Sequence, residues 1–323
     1  MKQEKKIKSV IFGCQGLTLT PEERLFFAEH NPLGLIIFDR NVQNPVQLKA
    51  LIDDFRQTVG RDDAPVLVDQ EGGRVTRLWP PYWHGLGWNR TYGDWYKENP
   101  KKGIQGIKKH AKILAEDLLS VGINVDCWPC LDVAQSDTHE IMAKRCFSDN
   151  PDVVSVLSET GVKTALKNGL MPIIKHIPGY GRTKVDPHVG LPIVDTDLNI
   201  LEQTDFNPFK QVNMPVWGMT AHVIYTALDN KMPATLSHQV LKYIRQHIGF
   251  NGFLICDDIS MGALQAFGSL AELSCQMIKA GCDCVLHCNG QMDEMKQIAD
   301  AVPFLSDISL KRLTIAESLR YGR

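Results

Sequence analysis

The sequence of 323 residues lacks two features that would each indicate a class of partner. It has no apolar run near the roughly 20 residues that a membrane-spanning helix requires. It also has little excess of charge, since the formal net charge is −2 and the only basic cluster is Lys2, Lys5, Lys6 and Lys8. Because nucleic acids are bound through basic surfaces, we expect neither a nucleic acid nor a membrane as a partner.

Signals for export and for disulfide bonding are also weak. The run Val10-Ile11-Phe12-Gly13-Cys14 after the lysines faintly resembles a lipoprotein cleavage site, but it is shorter than the ~7–15 apolar residues of a signal peptide. We predict a first β-strand there instead. The nine cysteines are odd in number, and a chain of this size folds without disulfides, so we expect buried free thiols and a cytoplasmic location.

Two groups of cysteines have spacings that could indicate a redox site or a metal site. Cys127 and Cys130 have the C-x-x-C spacing of redox sites, but they lie in a strand-like run rather than at the start of a helix. Cys282 and Cys284 would point to one side of a strand, whereas Cys288 lies past its end. We therefore predict no metal, no cofactor and no redox centre.

Short apolar runs alternate with longer helical patterns along the whole chain. Their near-continuous apolar character is typical of strands in a parallel sheet that is covered on both faces. Thr20-Pro21 and Asn44-Pro45 are typical helix starts, Ser237 is a candidate cap, and helices are predicted over 263–280 and 291–301. The predicted strands number eight, at 7–13, 34–38, 66–69, 124–127, 171–175, 216–220, 253–257 and 284–287.

Eight strand-helix units favour a closed barrel over an open sheet. No G-x-G-x-x-G or P-loop pattern follows a strand, which counts against nucleotide binding. The fold class is therefore predicted to be α/β, a single (β/α)₈ TIM-type barrel that spans residues 1–323 as one domain. Two long connections, 78–102 with four of the six tryptophans and 176–197, are candidates for functional loops.

Polar side chains follow six of the eight predicted strands. Since a TIM barrel has its active site at the C-terminal ends of its strands, these residues are predicted to meet at one rim. Such a rim is suited to binding a polyol. The residues concerned are Asp39, Arg40 and Asn41, then Asp69, Lys175 and His176, then His222, Asp257 and Asp258, and finally His287 and Asn289.

Several ordered motifs resemble those of one enzyme family. Lys175-His176-Ile177-Pro178-Gly179-Tyr180-Gly181 with Asp186-Pro187-His188 looks like the signature of bacterial β-N-acetylhexosaminidases of glycoside hydrolase family 3. Further blocks are similar at 68–75, 145–147, 219–223 and 256–261, so the resemblance runs from about Phe12 to Asn289. It implies a retaining exo-β-N-acetylglucosaminidase of the peptidoglycan-recycling type.

The resemblance also implies a role for each matching residue. Asp257 would be the nucleophile, and His188 would be the general acid/base with Asp186 as its partner. The terminal sugar would be held by Asp69, Arg77, Arg145, Lys175 and His176, with His176 as a directional donor. The implied substrate is a small glycan or muropeptide in which N-acetylglucosamine is β-1,4-linked to a muramic-acid sugar, including its 1,6-anhydro form. No protein partner is implied.

These roles agree with the chemistry of the residue types. A retaining glycosidase needs one group to attack the anomeric carbon and another to protonate the departing oxygen. A carboxylate at the end of a rigid strand suits the first task. A histidine, with an unperturbed pKa of about 6.5, suits the second. Charged side chains such as Asp69, Arg145 and Lys175 are strong partners for sugar hydroxyls.

The residues alone leave other interpretations open. Asp186 and His188 are also compatible with an exposed loop, Arg77 and Arg145 with solvated or structural roles, and Asp258 with a helix cap. His222 and His287 fit satisfied core histidines. The tryptophans of 78–102 fit either packing on the barrel rim or stacking on a sugar. Tyr180 stands where the family commonly has histidine, and Pro187 stands where it usually has serine, which affects the acid/base loop.

Three other functions remain compatible with the sequence. A phosphorylase would share the first step and pass the sugar to phosphate, which a histidine acid/base would not repel. A metal-dependent barrel hydrolase is less well supported, because no His-x-His follows the first strand. A sugar-binding barrel without catalysis would bind tightly and show no turnover.

Overall fold

The computed structural model describes residues 6–183 and 190–320. It contains the eight predicted strands, almost all of whose residues are buried because the apolar runs face the barrel interior on one side and the helices on the other. The barrel strands are β1 (Lys8–Phe12), β2 (Pro32–Ile37), β3 (Val66–Val68), β4 (Val125–Asp126), β5 (Met171–Ile177), β7 (Trp217–Thr220), β9 (Phe253–Cys256) and β10 (Val285–His287). β6 (Ile193–Val194) and β8 (Ile224–Tyr225) form a separate parallel pair.

The barrel strands are all parallel and follow chain order around the sheet. β1 pairs with both β2 and β10, and the ring closes between β9 and β10 through the bridge Ile255↔Cys284. At this closure the Leu286 amide donates to the sulfur of Cys256 at 3.1 Å rather than to a carbonyl. The predicted (β/α)₈ barrel is confirmed.

Helices surround the barrel and begin at capping residues that the sequence predicts. Thr20 and Glu23 form a capping box, Asn44 caps the second helix and Ser237 caps the ninth. The helices are α1 (Pro21–His30), α2 (Pro45–Val59), α3 (Asn89–Glu98), α4 (Pro100–Ser120), α5 (Glu140–Arg145), α6 (Pro151–Lys167), α7 (Leu198–Gln203), α8 (Asn207–Gln211), α9 (His238–Tyr243), α10 (Leu270–Ala280), α11 (Met292–Ala301) and α12 (Asp307–Arg320).

Two predicted segments differ from the structure. The helix predicted over 263–280 is two elements, a 3₁₀ turn at Gly262–Phe267 and then α10, because Gly268 has φ +140° and Ser269 opens a new capping box. The connection 78–102 is not a loop throughout, since it contains α3. Within the described chain no helix combines the length and apolar character needed to cross a membrane.

A buried carboxylate, Asp283, stabilises the N-terminal end of the barrel. Asp283, just before β10, accepts hydrogen bonds from Arg245 and Arg312 at 2.8 Å each and from Ser309 at 2.8 Å. It also accepts from the Leu254 amide at 2.9 Å. The C-terminal helix α12, which carries Ser309 and Arg312, is thereby tied to the last two barrel strands, far from the rim where the polar residues collect.

Candidate active site

A cavity of about 320 Å³ lies at the C-terminal ends of the strands. Its volume is at the lower end of the range of roughly 300–1,000 Å³ for ligand pockets, which suits one sugar ring better than a long chain. Six of the predicted site residues line it, namely Asp69, Arg77, Arg145, Lys175, His176 and Asp257. The structure therefore brings together side chains from the ends of three strands, β3, β5 and β9, and from the helix α5.

A buried carboxylate, Glu71, organises the floor of this cavity. Arg145 donates to both of its oxygens, at 2.7 and 3.1 Å, and the Lys175 ammonium lies 2.8 Å from one of them. The same ammonium donates to Asp69 at 2.8 Å. Lys175 and Glu71 are nearly inaccessible to solvent. The two cations are therefore fixed in position before any ligand binds.

Burial and charge act in opposite directions on these groups. Burial alone would raise the pKa of the Glu71 carboxyl, but Arg145 and Lys175 outweigh it and hold the pKa at about 2. In the same way, burial would raise the pKa of Asp69, whereas Lys175 and Arg77 hold it well below its usual value. Burial lowers and the two carboxylates raise the pKa of Lys175, with a net increase. The cluster is fully ionised at neutral pH.

Arg77 is held mainly through its backbone. Its amide donates to the side chain of Gln70 at 2.8 Å, and the Gln70 amide in turn donates to buried Asp126 at 3.0 Å. The guanidinium lies 3.7 Å from Asp69 and 3.8 Å from Asp39, which are long contacts for ion pairs. Arg77 therefore faces the cavity with hydrogen-bonding capacity that its protein neighbours only partly use.

His176 follows Lys175 directly, yet both side chains reach the cavity. Consecutive residues of a regular strand point to opposite faces. Here the peptide between them is cis, and the pairing register with β7 shifts at this point. The Nδ1 atom of His176 lies 2.7 Å from the carboxylate of buried Asp132, and its Nε2 atom lies 4.0 Å from Asp257.

Asp257 stands at the end of β9 with its carboxylate toward the cavity. The Asp258 amide donates to it at 2.8 Å, which fixes its orientation. Asp258 itself accepts from the amides of Ser260 and Cys288 and from the Ser260 hydroxyl. Asp258 therefore shapes the turn after β9, and the predicted helix cap is wrong, because the next helical segments begin after Met261 and Ser269.

The two remaining rim histidines are bonded within the protein, although the buried Nδ1 atom of His287 has no hydrogen-bond partner in the part of the chain that the structure describes. His222 is bonded to Thr235 at 2.8 Å and to the Asp258 carbonyl at 3.0 Å, and burial lowers its pKa. His287 is buried and bonded to Glu294 at 2.8 Å. Both are core histidines, as one of the interpretations predicted. Arg40 likewise donates to the carbonyls of Cys14 and Cys288 and joins the ends of β1 and β10.

The upper wall of the cavity is largely apolar. It is formed by Phe38, Val75, Met219 and Met261 together with Ile141 and Met142 from α5. No tryptophan is among the described residues that line it. The tryptophan-rich connection instead packs outside the site, where Trp88 covers Gly73 so closely that an added Cβ would lie 2.2 Å away. Of the two interpretations, packing rather than sugar stacking agrees with the structure.

Asp186 and His188, the predicted acid/base pair, lie outside the described residues, as do Pro187 and the geometry of the loop that carries them. Tyr180, five residues after Lys175, lines the cavity and is mostly buried. Among the described residues, the one group with metal-ligand geometry is Cys130, Asp132 and His176. Hydrogen bonds already join these atoms, with Cys130 donating to Asp132 at 3.2 Å.

All nine cysteines lie in the described part of the chain, and none forms a disulfide. Eight are buried, as predicted, and Cys275 is half-buried. Cys127 and the trio Cys282, Cys284 and Cys288 do not join a metal-ligand group with the other described residues.

Two residues of this arrangement, Glu71 and Asp132, were not predicted from the sequence. Glu71 lies two residues after Asp69, so the period of a strand predicts that the two side chains share a face. Asp132 follows β4, and no site residue was predicted at the end of that strand. Inspection of that strand end would have found it.

Comparison with known families decides the identity of this arrangement. The model of the glycosyl hydrolase family 3 N terminal domain matches residues 7–318. The chain belongs to glycosyl hydrolase family 3. It is accordingly a glycoside hydrolase, and its barrel is the N-terminal domain of that family, in agreement with the resemblance found in its motifs.

Individual family 3 relatives agree with this assignment. The chain is 33% identical over 323 residues to a Beta-hexosaminidase of Methylobacillus flagellatus, covering 97% of this chain and 89% of the relative. It is 32% identical over 288 residues to Beta-hexosaminidase A of Pseudoalteromonas piscicida, covering 83% of this chain but only 48% of that relative. The crystal structure of NagZ from Neisseria gonorrhoeae in complex with N-trifluoroacetyl-D-glucosamine superimposes with a TM-score of 0.88 at 28% identity, covering 98% and 93% of the two chains.

Proposed function

We propose that this protein is a retaining exo-β-N-acetylglucosaminidase. Asp257 is the nucleophile, His188 is the general acid/base, and Asp186 is the partner of His188. Asp69, Arg77, Arg145, Lys175 and His176 hold the terminal sugar. No cofactor takes part in this mechanism.

One observation carries the proposal: Asp257 shares a single small cavity with a preformed cluster of charged hydrogen-bonding groups. Lys175 and Arg145 are fixed by Glu71, so their remaining N–H groups point to the cavity without reorganisation on binding. A polyol with several hydroxyls finds charged partners on the floor, and the apolar wall accommodates the less polar side of the ring and the N-acetyl methyl. The molecule bound in the related NagZ complex, N-trifluoroacetyl-D-glucosamine, has hydroxyls and an N-acyl group of this kind.

The proposed reaction has two steps that balance in atoms and charge. In the first, an oxygen of Asp257 forms a bond to the anomeric carbon while the glycosidic bond breaks and the leaving oxygen takes the proton of His188. In the second, water gives that proton back to His188 and its oxygen displaces Asp257 from the anomeric carbon. Net retention of the β configuration follows.

The first test is hydrolysis of an aryl β-N-acetylglucosaminide, with the aryl β-glucoside as a control for the N-acetyl requirement. The wild type should cleave only the N-acetyl substrate, and Asp257→Ala should lose activity on the order of 10⁴-fold or more, as is seen when a covalent nucleophile is removed. Asp53→Ala, an exposed carboxylate on α2, is the matched control. Absence of wild-type turnover, or an active Asp257→Ala variant, would refute the proposal.

Product analysis with and without phosphate distinguishes hydrolysis from phosphorolysis. Free N-acetylglucosamine in both conditions supports the hydrolase, whereas a sugar 1-phosphate that forms only with phosphate identifies the phosphorylase. Tight sugar binding without any product would indicate a binding barrel, and loss of activity with a chelator would indicate a metal-dependent hydrolase.

The acid role of His188 is tested by the leaving group. His188→Ala should slow cleavage of a poor leaving group by about 10²–10⁴-fold, because proton transfer no longer assists bond breaking. A good leaving group needs little protonation, so the loss in the first step should be much smaller. Equal losses for both leaving groups would exclude this role.

We further propose that the substrate is a peptidoglycan fragment, N-acetylglucosamine β-1,4-linked to 1,6-anhydro-N-acetylmuramic acid with or without peptide. We also propose that the enzyme acts in the cytoplasm and that residues 1–323 form one domain. The small cavity supports an enzyme that takes one terminal sugar. A higher kcat/KM for this disaccharide than for N,N′-diacetylchitobiose is expected, and the reverse order would exclude the peptidoglycan substrate.

A further inference from the structure

Asp132 is a buried carboxylate whose hydrogen bonds converge on the sugar-holding histidine. One oxygen lies 2.7 Å from Nδ1 of His176 and accepts from Cys130 at 3.2 Å. The other accepts from the Tyr180 amide at 2.6 Å and from the His176 amide at 3.3 Å. Asp132 is fully buried and does not line the cavity. It therefore acts on the site only through the groups that it holds.

The neighbours of His176 distinguish its two ring nitrogens. Nδ1 faces a carboxylate, which only accepts hydrogen bonds, so this nitrogen carries a hydrogen. On the other side, a guanidinium nitrogen of Arg145 lies 3.4 Å from Nε2. Arginine is a donor only, so a donor on Nε2 would face another donor. The carboxylate of Asp257, at 4.0 Å, is too far from Nε2 to accept a hydrogen bond.

We propose that Asp132 is a positioning residue that holds His176 as the neutral tautomer protonated on Nδ1. The single lone pair of Nε2 then faces the Arg145 guanidinium at 3.4 Å, a long contact that a substrate hydroxyl replaces when it donates to Nε2. This inference rests on the proposed function and refines it, because the sequence analysis assigned His176 the role of donor. Since the same carboxylate binds the Tyr180 amide, it also fixes the backbone that leaves β5 toward residue 183.

A purely structural role for Asp132 is the main rival, and Asp283 provides the comparison. Asp283 is also buried and accepts hydrogen bonds from four groups, but it lies at the opposite end of the barrel. If Asp132 only stabilised the fold, the Asn variants of both residues would lower stability and leave the folded enzyme equally active. A positioning role predicts that only Asp132→Asn changes the tautomer of His176 and the kinetics.

The decisive experiment is ¹⁵N NMR of the histidine side chains in the full-length protein at neutral pH. The chain has ten histidines, and a His176→Asn spectrum identifies the His176 signals by their loss. We expect His176 to show hydrogen on Nδ1 in the wild type and in Asp283→Asn. In Asp132→Asn the side-chain amide can donate to Nδ1, so the hydrogen should move to Nε2. If Asp283→Asn does not fold, Ser309→Ala takes its place as the milder control.

The kinetic arm uses the same variants with the aryl β-N-acetylglucosaminide. Asp132→Asn should lower kcat/KM by about 10- to 100-fold, by analogy with the loss of the carboxylate partner of a metal-binding histidine. Asp283→Asn, measured on folded protein, should match the wild type. Cys130→Ser, which keeps a donor to Asp132, should also stay close to the wild type.

Several results would overturn the proposal. A wild-type His176 with hydrogen on Nε2, or on both nitrogens, would contradict the assigned tautomer. An unchanged tautomer in Asp132→Asn would remove its control over His176, and an unchanged kcat/KM would remove its kinetic effect. The NMR result does not require turnover, so a wild type that is inactive on the N-acetyl substrate refutes the proposed function separately from this inference.

Discussion

The two ends of the barrel each contain a buried carboxylate that binds two cations. At the N-terminal end, Asp283 binds Arg245 and Arg312. At the C-terminal end, Glu71 binds Arg145 and Lys175. The chemistry is the same, but its use differs. The hydrogen bonds of Asp283 join α12 to the barrel, whereas the cations on Glu71 line a cavity and keep donors free for a ligand.

The comparison teaches that a buried ion pair does not by itself indicate a function. Removing one partner of either cluster leaves a buried charge without compensation, so both sites contribute to stability. What separates them is the cavity: Arg145 and Lys175 face it, and Arg245 and Arg312 do not. Stability and activity should therefore respond differently to substitutions in the two clusters.

Among the variants that test this comparison, the largest effect is expected for Glu71→Gln. The loss of its charge leaves Lys175 and Arg145 without a shared partner, so both should shift from the positions that hold the sugar. We expect kcat/KM to fall by about 10²-fold or more, with a destabilisation of about 3–5 kcal/mol. Kinetics with the aryl substrate and urea unfolding measure the two effects. Full activity in a destabilised variant would mean that Glu71 resembles Asp283 after all.

Asp283→Ala should lower stability without lowering activity. Arg245 and Arg312 lose their common partner and α12 loses its attachment, so the free energy of unfolding should fall by about 3–5 kcal/mol. The kcat/KM of the folded fraction should remain that of the wild type. A matched fall in kcat/KM at a temperature where the variant is fully folded would show that the two ends are coupled.

Acid should act on the Glu71 cluster through protonation of its carboxylate. The pKa of Glu71 is about 2 in the folded protein against a usual 4.5. A lowered pKa means that the stabilisation is complete above about pH 4.5 and is lost as the pH falls toward 2. The difference in unfolding free energy between wild type and Glu71→Gln should therefore shrink on acidification from pH 5 to pH 3. A difference that stays constant or grows would contradict this assignment.

The smallest effect is expected for Trp79→Ala. Trp79 is 47% exposed and does not line the cavity, although it belongs to the connection that the sequence presented as a candidate sugar platform. Stability should change by no more than about 0.5 kcal/mol, and kcat/KM should stay within measurement error. Trp88→Ala is the second variant to compare, because Trp88 packs on Gly73, which is two residues after Glu71. A large loss of sugar affinity in Trp79→Ala would restore the stacking interpretation.

The barrel was predictable because each strand is an apolar run and each early helix has a capping residue. Thr20, Asn44 and Ser237 all cap helices where the sequence indicates. The break at Gly268 was missed because the apolar pattern continues across it. The spacing of Ser269 and Glu272 is that of a capping box, so the start of α10 was readable from the sequence.

The residues that line the site were easier to predict than the hydrogen bonds and ion pairs that hold them in place. Asp69, Lys175 and Asp257 stand at strand ends and were found from position and motif. Their ordering groups, Glu71 and Asp132, are buried behind them, and a carboxylate behind a site has the same sequence signal as one on a surface. The partners of Arg145 and Lys175 lie 74 and 106 residues away in sequence, at Glu71 and Asp69, and the fold alone brings such distant residues together.

The closure of the barrel between β9 and β10 has a consequence for local opening of the structure. The amide of Leu286 donates to the thiol of Cys256, and sulfur is a weak acceptor. That amide should exchange with solvent deuterium faster than its neighbours in the ladder, so the seam between β9 and β10 would be the first to loosen. Because Cys256 precedes Asp257, exchange at this one position reports on the strand that delivers the proposed nucleophile.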